Sequence, residues 1–149
     1  MMKKVFLILA FLVASYAQSQ ILKPVKWTTS VNKISESEYE LVATANIEAH
    51  WHLYSQTVPN GGPIPTIFSF KGNANYLKKG NTTEENGQTT YDPIFGMKIK
   101  FFEKKAIFKQ LIKLKTKAFF KVNATVEFMV CDDSKCLPPT EVDLIFNIK

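Results

Sequence analysis

The feature that most constrains the fold of this chain is an alternation of apolar and polar residues in three long segments. Apolar side chains occupy every second position in residues 39–47, 120–130 and 142–148. A period of two is typical of antiparallel strands that bury one face and expose the other. The sequence therefore predicts a protein whose core is carried by β-sheets.

Shorter segments complete this prediction. Strand-like composition also marks residues 26–31, 51–55, 66–70, 98–102 and 106–111. Turn-forming residues lie between them at Pro59–Pro63, Gly80–Asn81 and Asn86–Gly87. The segment nearest to a helical pattern, 103–114, is rich in β-branched and aromatic residues, which favour strands. About eight short strands in one domain, residues 18–149, predict an all-β, immunoglobulin-like antiparallel β-sandwich.

The N-terminal residues have the layout of a targeting segment. Two lysines precede the apolar run Val5–Val13, and Ser15 and Ala17 place small residues before a cleavage site. This is the layout of a secretory signal peptide. The run is about half as long as the ~20 residues that a membrane span needs. We therefore expect residues 1–17 to be a signal peptide cleaved near Ala17, and the mature protein to be exported and not membrane-embedded.

Composition excludes several classes of function. All 19 basic residues are lysines, and specific recognition of nucleic acids relies on arginine, so we expect no nucleic-acid partner. Two cysteines are too few for a four-thiolate zinc site. His50 and His52 flank Trp51 and would share one face of a strand. However, Cys136 is not followed by the His and Met of a blue-copper site, so we predict no metal and no cofactor.

The two cysteines, Cys131 and Cys136, lie between the last two predicted strands and thus at the tip of a hairpin. In an oxidising compartment such a pair can form a lasting disulfide. One interpretation is a structural clip, although closing a loop of about six residues contributes only about 2 kcal/mol, against about 4.7 for 100 residues. The other interpretation is a redox pair that exchanges with partner thiols at an exposed tip.

Flanking charges distinguish the two sulfurs. Asp132 and Asp133 disfavour a thiolate on Cys131, whereas Lys135 favours one on Cys136. We therefore predict that Cys136 is the sulfur that attacks a partner's disulfide and that a partner's thiolate attacks in turn. Cys131 is then the sulfur that resolves the mixed disulfide. The alternative function is a non-catalytic secreted β-sandwich for binding or assembly, with a purely structural disulfide.

Three motifs together resemble a known family. His50–Ser55 is followed by Gly61–Pro63, then by Asp92–Gly96, and finally by Cys131–Pro139, which closes one strand and precedes the last one. In this order they resemble the N-terminal periplasmic domain of the thiol:disulfide interchange protein DsbD. The resemblance extends from about Trp27 to the C-terminus.

The resemblance implies an immunoglobulin-like fold with a redox-active disulfide between Cys131 and Cys136 near one end. It also implies a cap loop at the third motif, with Ile94 at the position of the family's capping aromatic residue and Phe95 beside it. Asp92 is then either a turn residue or a group that moves a proton. We assign the wall around the cysteines to three residues of the first motif, Trp51, His52 and Tyr54. For Trp51 and for Tyr54 a position in the core is the alternative.

The resemblance further implies an electron route. The family's domain takes electrons from a thioredoxin-like domain that a transmembrane domain recharges, and it reduces disulfide isomerases and cytochrome c maturation proteins. Neither of those domains follows here, so we expect a monomeric, stand-alone periplasmic module. Its expected partners are thioredoxin-like proteins and a transmembrane thiol reductase. This chain has four residues between its cysteines, where the family's reference member has five.

Overall fold

The alternating segments form the long strands of the structure, a computed structural model that describes residues 22–149. The predicted signal peptide and its cleavage site lie outside the described residues. Eleven strands succeed one another: β1 (Val25–Lys33), β2 (Glu38–Ile47), β3 (His52–Tyr54), β4 (Ile67–Phe70), β5 (Tyr76–Glu84), β6 (Gln88–Asp92), β7 (Met97–Phe102), β8 (Lys105–Leu114), β9 (Phe120–Phe128), β10 (Val130–Cys131) and β11 (Thr140–Ile148). Between residues 22 and 149 there is no helix that could cross a membrane.

The strands pair antiparallel in three sheets, with the orders β1-β2-β8-β5, β10-β3-β7-β6 and β11-β9-β4. Apolar faces of all three sheets meet in one main core, whose centre includes Ala45, Phe108 and Val126. Trp27 of β1 packs edge-on against Phe68 of β4, which joins the first sheet to the third. The all-β antiparallel sandwich that the sequence predicts is confirmed.

The strands that the sequence does not predict are edge strands or very short. β5 and β6 lie at sheet edges and expose most of their side chains, so neither shows an apolar alternation. Gly80, predicted in a turn, lies inside β5 with a φ of +66°, where the register with β8 shifts between Lys79 and Thr83. Glycine adopts this left-handed conformation without strain and so permits the bulge. Pairing also breaks at Met129, which divides the predicted strand 120–130 between two sheets.

Candidate active site

A change of sheet after β9 places the two cysteines beside β3. After β9 the chain leaves the third sheet, and β10 pairs with β3 so that Cys131 lies directly opposite His52. The chain then turns back, and Leu137 N donates a hydrogen bond to Val130 O at 2.9 Å. Cys131 and Cys136 form a disulfide with a Cα–Cα distance of 3.9 Å. The predicted hairpin tip is therefore a separate small turn of the second sheet, which we call the cysteine turn (residues 131–136).

One carboxylate holds the cysteine turn. Asp132 Oδ1 accepts hydrogen bonds from the backbone N–H groups of Ser134 and Lys135 and from the Ser134 hydroxyl, each at 2.8 Å. These bonds, with those from Ser134 as the larger cause, hold the pKa of Asp132 below its usual value. The negative charge that the sequence places beside Cys131 is thus engaged by donors of its own turn.

The two cysteines differ in burial. Cys131 is 1% exposed, whereas Cys136 is half-buried. Thiol–disulfide exchange requires that an incoming sulfur reach the sulfur that it attacks. The difference in burial therefore favours Cys136 as the sulfur that partners approach, in agreement with the order predicted from the flanking charges.

A second, smaller hydrophobic cluster surrounds the disulfide. Because side chains alternate along a strand, β3 sends Leu53 into the main core and Tyr54 to the opposite face of the second sheet. On that outer face nine residues form what we call the site cluster: Tyr54, Ile99, Phe101 and Cys131 are buried, and Val58, Phe95, Met97, Met129 and Cys136 pack against them. The disulfide thus lies on an outer face of the sandwich and not between its layers.

The loop of residues 93–96 joins β6 to β7 and packs on the site cluster; we call it the cap loop. Asp92 Oδ1 accepts hydrogen bonds from the backbone N–H groups of Ile94 at 2.9 Å and Phe95 at 3.2 Å. Phe95 packs edge-on against Tyr54, with ring centroids 6.0 Å apart, whereas Ile94 is 43% exposed. Gly96 takes a φ of +67°, which favours glycine, and its N–H donates to Asp92 O. Phe95 is therefore the cap-loop side chain that packs in the site cluster, whereas Ile94 is the more exposed of the two.

A buried hydrogen bond ties the start of the cap loop to β3. Tyr54 OH donates to Asp92 Oδ2 at 2.9 Å, and both residues are buried. Burial, followed by the hydrogen bond and the charge of Asp92, raises the pKa of Tyr54 far above its usual value. The phenol therefore stays protonated at physiological pH, and the Asp92 carboxylate accepts three donors in all. This arrangement favours Asp92 as the anchor of the cap loop over Asp92 as a group that moves a proton.

Three other residues of the first motif, Trp51, His52 and His50, lie in different environments. Trp51 is buried in the main core, away from the site cluster. His52 lies on the outer face, with its ring 4.4 Å from that of Phe101 between centroids and its Nε2 at 2.9 Å from Glu103 Oε1. His50 is exposed in the turn before β3, with a φ of +69°, because the strand begins only at His52. The prediction that both histidines share one strand face is wrong.

Metal-ligating side chains are also dispersed over the part of the chain that the structure describes. Among residues 22–149 there is no group of three His, Cys, Asp or Glu side chains placed to hold a metal ion.

A groove of about 140 Å³ separates the cap loop from the cysteine turn. Side chains from both segments and from the sheet beneath line it, among them His52, Tyr91, Pro93, Ile94, Phe101 and Asp133. Sequence reasoning misses Phe101 and Ile99 as neighbours of the disulfide, and Glu103 as the partner of His52. The alternation after Gly96 is the signal that could have found the first two, since Phe101 and Ile99 share one face of a predicted strand.

Comparison with known proteins agrees with this geometry. Residues 18–146 match the family model described as thiol:disulfide interchange protein DsbD, N-terminal. The chain resembles the reduced N-terminal domain of DsbD from Neisseria meningitidis, with a TM-score of 0.54 and 12% identity, covering 84% of this chain and 88% of that chain. It also resembles the N-terminal periplasmic domain of ScsB from Proteus mirabilis, with a TM-score of 0.56 and 13% identity, covering 81% of this chain and 44% of that chain. A search of the curated proteins finds no match. The likeness to these structures shows the fold and confirms the predicted immunoglobulin-like sandwich.

Proposed function

This chain belongs to the family of the DsbD N-terminal domain, and we propose on that basis that it is a thiol–disulfide exchange protein acting through Cys131 and Cys136. The observation that carries the proposal is the position of the disulfide, on an outer face and beneath a short aromatic loop. A structural disulfide stabilises most when it joins distant segments. This one closes a turn that the hydrogen bonds of Asp132 and Leu137 already hold.

The proposed reaction starts from the reduced pair. The Cys136 thiolate attacks a partner's disulfide, one partner sulfur leaves as a thiolate, and a mixed disulfide joins Cys136 to the other partner sulfur. Cys131 then attacks Cys136 Sγ, which releases the second partner thiolate and leaves Cys131 and Cys136 joined. The partner is reduced by two electrons, and an external dithiol restores the starting pair by the reverse sequence.

We propose that the cap loop controls access to Cys136. Phe95 covers the site cluster, so a docking partner has to displace this ring. Asp92 is held by Tyr54, and opening of the cap loop has to break the bonds that the Ile94 and Phe95 N–H groups donate to Asp92 Oδ1. A short loop held by so few contacts opens at lower cost than a paired strand.

The partners and the compartment are also part of the proposal. We propose that the protein is a periplasmic monomer, supplied by a transmembrane thiol reductase or a thioredoxin-like donor, and that it reduces thioredoxin-like proteins. The predicted signal peptide supports export, and the domain of ScsB that the chain resembles is periplasmic. Cytochrome c biogenesis is one pathway that such a carrier would serve.

Redox titration of the full chain against glutathione tests whether the disulfide cycles. We expect a reduction potential above about −300 mV, in the range of exchange proteins. A disulfide that stays oxidised down to more negative potentials would assign it the structural role of a non-catalytic β-sandwich.

Trapping tests the order of attack. The variant Cys131→Ala, incubated with a thioredoxin-fold protein in its disulfide form, should accumulate a mixed disulfide through Cys136, visible as a mass increase on a non-reducing gel. The matched variant Cys136→Ala should form far less adduct, because Cys131 is buried. Equal trapping by both variants, or trapping only by Cys136→Ala, would refute the proposed order.

A further inference from the structure

The proposed exchange function leaves one proton unassigned, and the inference drawn here rests on that function. Cys131 has to lose its proton before it attacks Cys136 in the mixed disulfide, because the thiolate is the nucleophile. Cys131 is buried among apolar side chains, which disfavours its charged form. A group beside Cys131 is therefore needed to take the proton as the new bond forms.

Three titratable groups near the disulfide are already engaged. The Asp92 carboxylate accepts hydrogen bonds from Tyr54, Ile94 and Phe95. The Asp132 carboxylate accepts three hydrogen bonds inside the cysteine turn. The Tyr54 hydroxyl donates to Asp92 and is itself protonated. Asp132 Oδ2 accepts none of these bonds, but a carboxylate whose pKa lies below its usual value is a far weaker base than an imidazole.

His52 has the position that the proton transfer requires. It lies directly opposite Cys131 in the β3–β10 pair. Opposite residues of antiparallel strands project to the same face, with Cβ atoms about 4.5–5.5 Å apart. The His52 ring lies on Phe101, and its side chain is 18% exposed. The imidazole thus shares a sheet face with Cys131 and lines the groove between the cap loop and the cysteine turn.

Glu103 determines which ring nitrogen is free. Its Oε1 lies 2.9 Å from His52 Nε2, and a carboxylate there keeps the proton on that nitrogen. Nδ1 of the neutral ring is then the acceptor. A base oriented by a third group in this way is the general arrangement by which proteins activate a nucleophile.

We propose that His52 takes the proton of the Cys131 thiol when Cys131 attacks Cys136, and that Glu103 is its positioning residue. The proton passes from Cys131 Sγ to His52 Nδ1 while the Cys131–Cys136 bond forms. The bond between Cys136 and the partner breaks, and the partner sulfur leaves with the bonding electron pair. In the reverse direction a donor thiolate attacks Cys136, and the His52 imidazolium protonates the departing Cys131 sulfur.

This step uses the neutral form of His52. Two grooves meet at His52, and besides Glu103 they are lined by Glu48, His50, Asp92, Lys104, Asp132 and Asp133. A step assisted by a base of the protein should level off with rising pH once that base no longer carries a proton. A thiol without such a base reacts through its thiolate fraction, which rises about tenfold per pH unit up to a thiol pKa of about 8.5.

Reaction of the reduced full chain with a dipyridyl disulfide separates the two steps. Each step releases one equivalent of absorbing thiopyridone, the first on attack by Cys136 and the second on resolution by Cys131. We expect His52→Gln to leave the first phase unchanged and to slow the second by about 10²-fold or more at neutral pH, as loss of a general base does. The second phase of the variant should rise steadily with pH, whereas that of the natural chain should level off.

Matched variants separate proton transfer from a structural effect. His50→Asn replaces an exposed histidine two positions away with a residue that tolerates its left-handed backbone, and should change neither phase. Glu103→Gln should slow the second phase and leave the first unchanged, because the His52 ring loses the carboxylate that orients it. Added imidazole should restore the second phase of His52→Ala.

Three results would overturn the role of His52. They are an unchanged second phase in His52→Gln, an equal slowing of both phases with an unaltered pH profile, and a natural-chain profile that rises about tenfold per pH unit through pH 8 without levelling. The last criterion needs no variant and so applies even if His52→Gln fails to fold. A natural chain that releases no thiopyridone at all would instead refute the exchange function itself.

Discussion

The main core and the site cluster share the strands β3, β7 and β10, yet they are closed in different ways. The main core holds 21 buried side chains from all three sheets, whereas the site cluster holds four. Leu53 and Tyr54 are neighbours on β3 and are equally buried, one in each cluster. Paired strands cover the first, and a four-residue loop anchored at Asp92 covers the second. Burial alone therefore does not distinguish the main core from the proposed site of exchange; the kind of cover does.

The largest effect is expected from the main-core side of this comparison. Leu53→Ala should lower the free energy of unfolding by about 2–5 kcal/mol, because it removes a fully buried side chain and leaves a cavity. Urea unfolding measures this loss. The rate at which the folded variant is reduced by dithiothreitol should match that of the natural chain. A faster reduction would show that the two clusters are not independent.

A smaller loss is expected from the neighbouring residue in the site cluster. Tyr54→Phe removes the donor to Asp92 Oδ2, and hydrogen bonds to charged groups contribute about 1.5–3 kcal/mol. Reduction of the disulfide should become faster, because the anchor of the cap loop is weakened. Unlike Leu53→Ala, this variant should change stability and reactivity together. Unchanged reduction would show that the Tyr54–Asp92 bond does not hold the cap loop closed.

The stabilising effect of the Tyr54 hydroxyl, measured by the same variant, should decrease at alkaline pH. The pKa of Tyr54 is raised in the folded state, so its stabilising contribution is complete below the usual value of 10.0 and is lost as pH rises beyond it. The difference in unfolding free energy between the natural chain and Tyr54→Phe should therefore be constant up to about pH 10 and shrink above it. A difference that stays constant to about pH 11 would contradict this assignment.

Sequence reasoning predicts the main core better than it predicts the site cluster. The strands of the main core carry their own pattern: Tyr39 to Ile47 alternate because one face of β2 is buried. The cysteines, Tyr54 and Asp92 are found from local motifs. Their mutual contacts are not, because those depend on which distant strands pair.

Two particular features show what remains hidden. Val130 keeps the two-residue spacing of the buried positions of β9, so this spacing does not indicate that the chain changes sheet at Met129; the change depends on pairing with β3. Glu103 lies in the turn between β7 and β8 and reaches His52 only through the β3–β7 pairing. Edge strands such as β6 are also not predicted, because a strand whose side chains are exposed on both faces shows no alternation of apolar and polar residues.

The cover of the site cluster can be tested directly with two adjacent residues. Phe95→Ala should accelerate reduction by dithiothreitol by about tenfold, since losing part of the 1.5–3 kcal/mol that a buried aromatic ring contributes shifts the loop toward its open form. Ile94→Ala is the matched control, because this side chain is 43% exposed and does not belong to the site cluster. Equal rates for Phe95→Ala and the natural chain would show that the cap loop does not limit access.

The smallest effect is expected in the cysteine turn, whose hydrogen bonds are exposed to water. The pKa of Asp132 is lowered, so its contribution to the turn is complete above the usual value of 3.8 and is lost as pH falls below it. Hydrogen exchange of the Ser134 and Lys135 amides should therefore show about two- to fivefold less protection on acidification of the natural chain. Asp132→Asn keeps an acceptor oxygen without the charge and should show no such change. If Asp132→Asn loses protection to the same extent, the charge of Asp132 is not what holds the turn.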